Sequence, residues 1–177
     1  MKMTQLKHLN SNRLILWVLI GFTFAYSISQ AWADQVIPGK VVGITDGDTL
    51  TLLDATNTQH KIRLAGIDSP EKGQPFGQHC KKSLSDLAYD RDATVESSKL
   101  DRYGRVIGKV LVDGQDVNLE QVRRGCGWHY KKYQNEQPLD DRLSYNAAEE
   151  SARASKVGLW ADNDPVPPWD WRKAGRK

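Results

Sequence analysis

The residues best suited to chemistry lie in three short segments that combine carboxylates with arginines. Their candidate functional residues are Asp48 in the segment 44–49, Arg63, Asp68, Ser69 and Glu71 in the segment 62–71, and Arg105 in the segment 101–105. Carboxylate oxygens bind hard divalent cations, and guanidinium groups bind phosphate oxygens. Together the segments predict a site for a divalent cation and a phosphodiester.

The candidate metal ligands are two carboxylates and one backbone carbonyl. A hard cation such as Ca²⁺ takes about six to eight oxygen ligands. Asp48 and Asp68 would supply carboxylates from adjacent strands, and Pro70 holds Ser69 extended, which offers its carbonyl oxygen. Asp46 would orient water beside them. The alternative is that Asp46 and Gly47 form only a hairpin turn, as Asp113 and Gly114 do.

Glu71, Arg63 and Arg105 are the candidates for the reaction itself. Glu71 follows the metal carboxylates at a spacing suited to holding a water molecule between metal and phosphorus. In phosphodiester hydrolysis charge grows on the phosphate oxygens, which the planar fork of arginine matches better than lysine does. The alternatives are a solvated Glu71 or a helix N-terminus at residues 69–71, and an exposed Arg105, although Arg102 is the better candidate for exposure.

The first 33 residues predict a secretory signal. They carry Lys2, Lys7 and Arg13, no acidic residue, the apolar run 14–25 and then Ala31-Trp32-Ala33. The apolar run is short against the ~20 residues that span a bilayer. We therefore expect cleavage after Ala33, a periplasmic or extracellular location and no stable membrane association.

Signal cleavage changes the charge of the protein. The whole chain has 25 Lys and Arg against 22 Asp and Glu, and loss of the three basic residues of the signal leaves 22 of each. A neutral protein does not bind nucleic acid through a global positive field. Affinity must then come from a local cluster such as Arg63 and Arg105.

The remaining chain has the length of one domain with a sizeable core and contains two cysteines. Cys80 and Cys126 lack the additional Cys or His of a zinc site. In an oxidising compartment they are candidates for a disulfide, with two buried thiols as the alternative. His60, His79 and His129 show no metal-ligand spacing, which disfavours histidine-based nuclease chemistry.

The hydrophobic pattern predicts an α+β fold with five strands and about three helices. The strands are expected over residues 40–44, 49–53, 60–67, 94–98 and 106–112, and the helices over 76–89, 116–125 and 138–156. The first helix is expected to bury Cys80, Leu84, Leu87 and Ala88. The third is expected to bury Leu143, Ala147 and Ala154. This order of elements is typical of a small Greek-key barrel with appended helices.

Residues 161–177 form a tail rich in proline and tryptophan that ends in basic residues. We predict a loosely packed extension outside the domain 34–160. A nucleic-acid contact from Trp169, Trp171 and the basic residues is the alternative.

The segments 44–49, 63–71 and 101–105, followed by Val122-Arg-Arg-Gly125, resemble in this order the staphylococcal-type thermonucleases. The resemblance covers roughly residues 37 to 160 and implies an OB-fold barrel. It also implies Asp48, Asp68 and the Ser69 carbonyl as Ca²⁺ ligands, with serine where the family more often has threonine. Glu71 would be the general base, and Arg63 and Arg105 would grip the phosphate.

The resemblance further implies cleavage of the P–O5′ bond, which leaves 3′-phosphate ends, with DNA as the substrate and RNA as a second candidate. Tyr103 matches a family tyrosine near the nucleotide, and Tyr130 or Tyr133 could stack on a base. One departure is the short connection 72–75, where the staphylococcal enzyme carries a longer flexible loop. The chain is thus predicted to be a monomeric, exported, Ca²⁺-dependent nuclease. The alternative is a non-catalytic OB-fold module that binds nucleic acid.

Overall fold

Five strands of the chain close into a β-barrel. The structure is a computed structural model that describes residues 35–175, so the predicted signal lies outside the described residues. The barrel strands are β1 (Gln35–Ile44), β2 (Thr49–Leu53), β3 (Gln59–Leu64), β5 (Asp92–Leu100) and β6 (Val106–Val112). They lie in the order β3-β2-β1-β5-β6, and a parallel pairing of β3 with β6 closes the ring. The predicted five-stranded, OB-fold-like barrel of an α+β protein is confirmed.

The barrel closes because alternate residues of its strands are apolar and point inward. Along β6 every second residue is buried, from Val106 through Gly108 and Val110 to Val112. Leu50, Leu52 and Ile62 of β2 and β3 are fully buried in the same core. Removal of these side chains from water is the main force that holds the barrel closed.

The predicted strand over residues 60–67 is wrong at its end. β3 stops at Leu64, and Gly66 adopts a left-handed φ of 74°, which favours glycine. The chain turns there and enters the short strand β4 (Ile67–Asp68), which pairs with β8 (Trp128–His129) instead of with the barrel. This turn carries Asp68 to the junction between the barrel and the helical part.

Residues 35–175 contain the three predicted helices and a fourth that was not predicted. They are α1 (Gly77–Ala88), α2 (Val117–Arg123), α3 (Leu139–Ala154) and the additional α4 (Pro168–Ala174), with 3₁₀ turns over Lys131–Glu136 and Gly158–Ala161. The two-residue strand β7 (Gln115–Asp116) precedes α2. The Asp116 side chain accepts the Leu119 N–H at 2.9 Å and so caps α2 as predicted.

The predicted inner face of α3 is wrong. Leu143 is 59% exposed and Ala147 and Ala154 are also exposed. The buried face consists of Tyr145, Ala148, Glu149 and Ala152. The hydroxyl of Tyr145 donates to Asp116 at 2.9 Å, and the carboxylate of Glu149 pairs with Lys131 at 2.7 Å. Polar side chains can occupy this face because they find partners there.

The expectation of a loosely packed C-terminal tail is also wrong for the described residues of this segment. Trp169 stacks on Tyr130 with ring centroids 5.3 Å apart, and it meets Trp128 edge-on at 5.5 Å. Pro168 is buried. The aromatic side chains therefore dock α4 onto the segment around β8.

The helices among residues 35–175 are all too short or too polar to cross a membrane.

Asn118 joins α2 to the barrel and provides a test of this architecture. Its buried amide donates to the carbonyls of Ala65 and Gly108 and accepts the Val110 N–H, at 3.0–3.1 Å. We expect Asn118→Ala to lower the free energy of unfolding by about 2–3 kcal/mol, because buried polar groups would lose their partner. Urea denaturation measures this, with exposed Asn163→Ala as the control. A loss below about 0.5 kcal/mol, the range of surface substitutions, would contradict this role of Asn118.

Candidate active site

Arg63 connects the two candidate metal carboxylates. Thr49 pairs with Arg63 across β2 and β3, and the Leu64 N–H donates to the carbonyl of Asp48 at 2.9 Å. This register places Asp48 beside Arg63. One terminal nitrogen of the Arg63 guanidinium contacts Asp48 Oδ1, and the other donates to Asp68 Oδ1 at 2.6 Å. The predicted residues Asp48, Arg63 and Asp68 therefore meet.

The two carboxylates are buried and further held by hydrogen bonds. The side chain of Asp68 is 0% exposed and that of Asp48 is 5% exposed. Asp48 Oδ2 accepts the backbone N–H of Ser69 at 2.6 Å, and the Thr49 hydroxyl donates to Asp48 Oδ1 at 3.2 Å. A buried charge needs such compensation, because removal from water costs several kcal/mol.

The turn that carries Asp48 is held in place by its close packing and by a hydrogen bond from Gln121. A Cβ atom on Gly47 would lie 2.8 Å from the Cβ of Ser69 and 2.9 Å from that of Cys80, so only glycine fits. Gln121 is fully buried, and its amide nitrogen donates to the Gly47 carbonyl at 2.7 Å. Asp46 is half-buried, and its Oδ1 accepts the Asp48 N–H at 3.1 Å. The Asp-Gly turn and the carboxylate site therefore coexist.

Glu71 lies in a short loop rather than at a helix start. Helix α1 begins only at Gly77, so the alternative of a helix N-terminus at residues 69–71 is wrong. The side-chain oxygen of Gln74 accepts the Glu71 N–H at 3.1 Å, and the Gln74 amide nitrogen donates to the Val166 carbonyl at 2.6 Å. The backbone of Glu71 is thus connected to the C-terminal segment, while its side chain is 38% exposed.

Arg105 is oriented by Asp101, a residue that the sequence did not single out for this role. Asp101 accepts the Arg105 Nε–H at 2.7 Å and its backbone N–H at 2.9 Å. Burial acts to raise the pKa of Asp101, but the hydrogen bonds from Arg105 and Tyr103 outweigh it and lower the pKa. Asp101 is therefore a stable anion beside Arg105. Arg102 is exposed, as predicted.

Arg172 of α4 enters the site, although the sequence placed it in an extension. Its Nη2 donates to Asp68 Oδ2 at 2.7 Å, and its Nη1 donates to Glu71 Oε1 at 2.7 Å. Burial acts to lower the pKa of Arg172, but the hydrogen bonds to Asp68 and Glu71 outweigh it and raise the pKa above its ordinary value. No local signal identifies Arg172, because its partners are about a hundred residues away in the chain.

The site opens into one groove with aromatic walls. Its lining includes Asp48, Arg63, Ser69, Glu71, Arg105, Arg172, Tyr103, Tyr130, Tyr133 and Trp169. Tyr103 is 67% exposed, and Tyr133 meets Tyr130 edge-on with centroids 5.2 Å apart. The three predicted tyrosines thus border the same groove as the candidate catalytic residues. Such rings can stack on nucleobases.

Cys80 and Cys126 lie beneath the site in the core. Both are buried thiols in the structure. The neighbouring Cys126 thiol and burial raise the pKa of Cys80. The predicted burial of both residues is confirmed, and the disulfide in an oxidising compartment stays a prediction.

The histidines have other contacts. Nε2 of His129 hydrogen-bonds to Gln137 Oε1 at 2.9 Å, and burial lowers the pKa of this imidazole. His60 of β3 pairs at 2.6 Å with Asp54, which follows β2.

The donor set of the site fits a hard cation. The candidate ligands are the carboxylates of Asp48 and Asp68 and the carbonyl of Ser69, all oxygen donors, which suits Ca²⁺ or Mg²⁺ better than zinc. Within residues 35–175, no group of three or more His, Cys, Asp or Glu side chains is arranged to hold a metal. A cation here would therefore need two carboxylates completed by backbone, water or substrate oxygens.

Comparison with known proteins gives concordant matches. Residues 61–162 match the family model described as Staphylococcal nuclease homologue. An uncharacterized endonuclease of Haemophilus influenzae is 42% identical, covering 92% of this chain and 86% of that protein. An uncharacterized endonuclease of Escherichia coli is 40% identical over 84% and 92%, and a micrococcal nuclease of Shigella flexneri is 37% identical over 82% and 85%.

The bridging role of Arg63 can be tested through stability. We expect Arg63→Met to lower the free energy of unfolding by about 3–5 kcal/mol, because it leaves the buried Asp48 without a cationic partner among residues 35–175 and Asp68 with Arg172 alone. Lys61→Met is the matched control, since Lys61 is exposed on the same strand. Urea denaturation compares the two variants. Adding Asp68→Asn to Arg63→Met should recover part of the loss, and strictly additive effects would contradict the bridge.

Proposed function

Because this chain belongs to the staphylococcal nuclease family and is a nuclease, we propose that it is an exported, Ca²⁺-dependent enzyme that cleaves DNA, with RNA as a second candidate substrate. Its products would be 3′-phosphate ends. One observation carries the proposal: the guanidinium of Arg63 joins two buried carboxylates on a groove that also contains Glu71 and Arg105. A purely binding OB-fold module has no need to bury charges in this way.

Glu71 is proposed as the general base. Its carboxylate lies at the groove beside Asp68, because both accept hydrogen bonds from Arg172. A carboxylate at this position can take a proton from the water that attacks phosphorus. The loop hydrogen bond from the Glu71 N–H to Gln74 limits the movement of the backbone that carries it.

Arg105 is proposed to bind the phosphate directly, and Arg63, whose two terminal nitrogens contact Asp48 and Asp68, is proposed to act on it through its charge. Asp101 holds Arg105 through its Nε, and the two terminal nitrogens of Arg105 have no hydrogen-bond partner among residues 35–175. They form a planar fork, oriented and available for two phosphate oxygens. Arg63, which is mostly buried, would stabilise the charge that develops on the phosphate in the transition state.

Asp48, Asp68 and the carbonyl of Ser69 are proposed to hold Ca²⁺. When bound, the cation would supply positive charge that stabilises the phosphate oxygens and the attacking water. The burial of both carboxylates favours this role, since a metal cation would offset their desolvation in addition to the guanidinium groups of Arg63 and Arg172. Tyr103, Tyr130 and Tyr133 would contact the nucleotide.

Export as a monomer without stable membrane association is part of the proposal. It rests on the basic and apolar residues of the segment 1–33 and the Ala31-Trp32-Ala33 cleavage pattern. Release into an oxidising compartment would also permit a bond between Cys80 and Cys126. Mass measurement of the protein recovered from periplasm and medium would test cleavage after Ala33.

Glu71→Gln tests the general base. We expect the rate of hydrolysis at saturating Ca²⁺ to fall about 10²–10⁴-fold, the range typical of general-base assistance, with little change in binding of a 3′,5′-nucleotide. Single-turnover kinetics on DNA and RNA, with end analysis, measure this. Glu150→Gln on the exposed face of α3 is the control. Full activity in folded Glu71→Gln would remove the assignment, and a wild type that binds DNA without cutting it would indicate a binding module.

Asp48→Ala tests the metal site separately. We expect the Ca²⁺ concentration at half-maximal activity to rise by about tenfold or more, with activity partly recovered at high Ca²⁺, because one carboxylate ligand is lost. Asp113→Ala is the matched control, since Asp113 occupies the other Asp-Gly turn and is exposed. The Ca²⁺ titration of hydrolysis, together with calorimetry, gives the result. An unchanged half-maximal concentration would exclude Asp48 as a ligand.

A further inference from the structure

The C-terminal helix α4 contributes a third guanidinium to the site. Both terminal nitrogens of Arg172 are occupied by carboxylates: Nη2 by Asp68 Oδ2 at 2.7 Å, and Nη1 by Glu71 Oε1 at 2.7 Å and Asp68 Oδ1 at 3.2 Å. Arg172 thus bridges Asp68, which also contacts Arg63, to Glu71. Within the described part of the chain, Arg172 is the only hydrogen-bond partner of the Glu71 carboxylate.

Two sets of contacts hold the helix that carries Arg172 against the domain. Trp169 lies between Tyr130, on which it stacks, and Trp128, which it meets edge-on. Just before the helix, the carbonyl of Val166 accepts the Gln74 amide. The same Gln74 side chain accepts the N–H of Glu71 at 3.1 Å. The side chain of Gln74 therefore connects the loop of Glu71 to the residues just before α4.

We propose that Arg172 is a positioning residue that holds the carboxylate of Glu71 beside Asp68, in the place from which it acts on the attacking water. This inference rests on the proposed role of Glu71. The side chain of Glu71 is 38% exposed, and without Arg172 it would sample several rotamers in the groove. A catalytic base acts in one orientation, so the rate of the reaction falls when that orientation is no longer fixed.

The hydrogen bonds distinguish this role from direct phosphate binding. The terminal nitrogens of Arg105 have no partner among the described residues, whereas those of Arg172 are both committed to carboxylates. A phosphate group would have to displace Asp68 or Glu71 to be held by Arg172. The geometry therefore assigns the substrate to Arg105 and the orientation of the base to Arg172.

A double-mutant cycle tests the proposal. At saturating Ca²⁺, we expect Arg172→Gln to lower kcat by about 10- to 100-fold with KM nearly unchanged, because a misplaced catalytic group costs rate rather than substrate binding. In the Glu71→Gln background the same change should lower kcat less than about twofold, because the residue it positions is already absent. Arg172→Lys, which keeps the charge and one of the contacts, should recover part of the loss.

The matched control is Asp170→Asn, which removes an exposed charge from the same helix at a residue outside the groove lining and should leave kcat unchanged. Tryptophan fluorescence of each variant reports whether Trp169 stays docked. If Arg172→Gln does not fold, the same cycle is run with Arg172→Lys, whose loss should again vanish with Glu71→Gln.

Four results would overturn the inference. An equal loss in both backgrounds would show that Arg172 acts on the substrate, and a raised KM would show the same. A gain in activity would show that α4 blocks the site. Full activity of Glu71→Gln would remove the proposed base and this inference with it. That result is distinguishable from an impaired Glu71→Gln with additive effects, which removes the role of Arg172 alone.

Discussion

The bridge from Arg63 to Asp48 and Asp68 is the interaction on which the rest of the structure depends. Two nearly inaccessible carboxylates carry a free-energy cost that only a correctly placed cation offsets. The pairing of Thr49 with Arg63 brings Asp48 to the guanidinium, and the turn at Gly66 brings Asp68 to its other side. A shift of one residue in the register of β2 and β3 would point Arg63 to the opposite face of the sheet and leave both charges buried without it.

Buried polar side chains transmit this constraint from the barrel to the helices. Gln121 of α2 holds the turn at Gly47, the hydroxyl of Ser69 donates to the Cys126 carbonyl at 2.5 Å, and Asn118 joins α2 to β6. Each of these groups is satisfied only when barrel and helix are both in place. The catalytic groove therefore lies at a junction rather than on one element, which explains why α2 contributes no charged group to it and is still needed.

Local patterns in the sequence predicted the elements and residues whose partners are close in the chain. The strands and the Asp116 cap follow from turns and alternation that span a few residues, whereas the grouping of Asp48, Arg63 and Asp68 was predicted from the residue types of their segments and from the family resemblance. The errors occur where contacts between residues far apart in the chain determine the local structure. The chain leaves β3 at Gly66 because the next residues pair with β8. Helix α3 buries Tyr145 and Glu149 because Tyr145 hydrogen-bonds to Asp116 and Glu149 pairs with Lys131. The proline-rich composition of residues 161–177 likewise predicted an irregular extension instead of α4, whose packing depends on Trp128 and Tyr130.

The short connection 72–75 and the docked C-terminal helix are two parts of one arrangement. A longer loop after Glu71 would separate it from Gly77, where an added Cβ would lie 2.0 Å from the Glu71 carbonyl oxygen, and from Gln74, which joins it to Val166. With the short loop, the backbone of Glu71 packs closely enough against α1 and the C-terminal segment for Arg172 to reach its carboxylate. The orientation of Glu71, the proposed base, then depends on the aromatic packing of Trp169, more than ninety residues further along the chain. The C-terminal segment thus belongs to the candidate site, and a domain that ended near residue 160 would lack the hydrogen-bond partner of the Glu71 carboxylate.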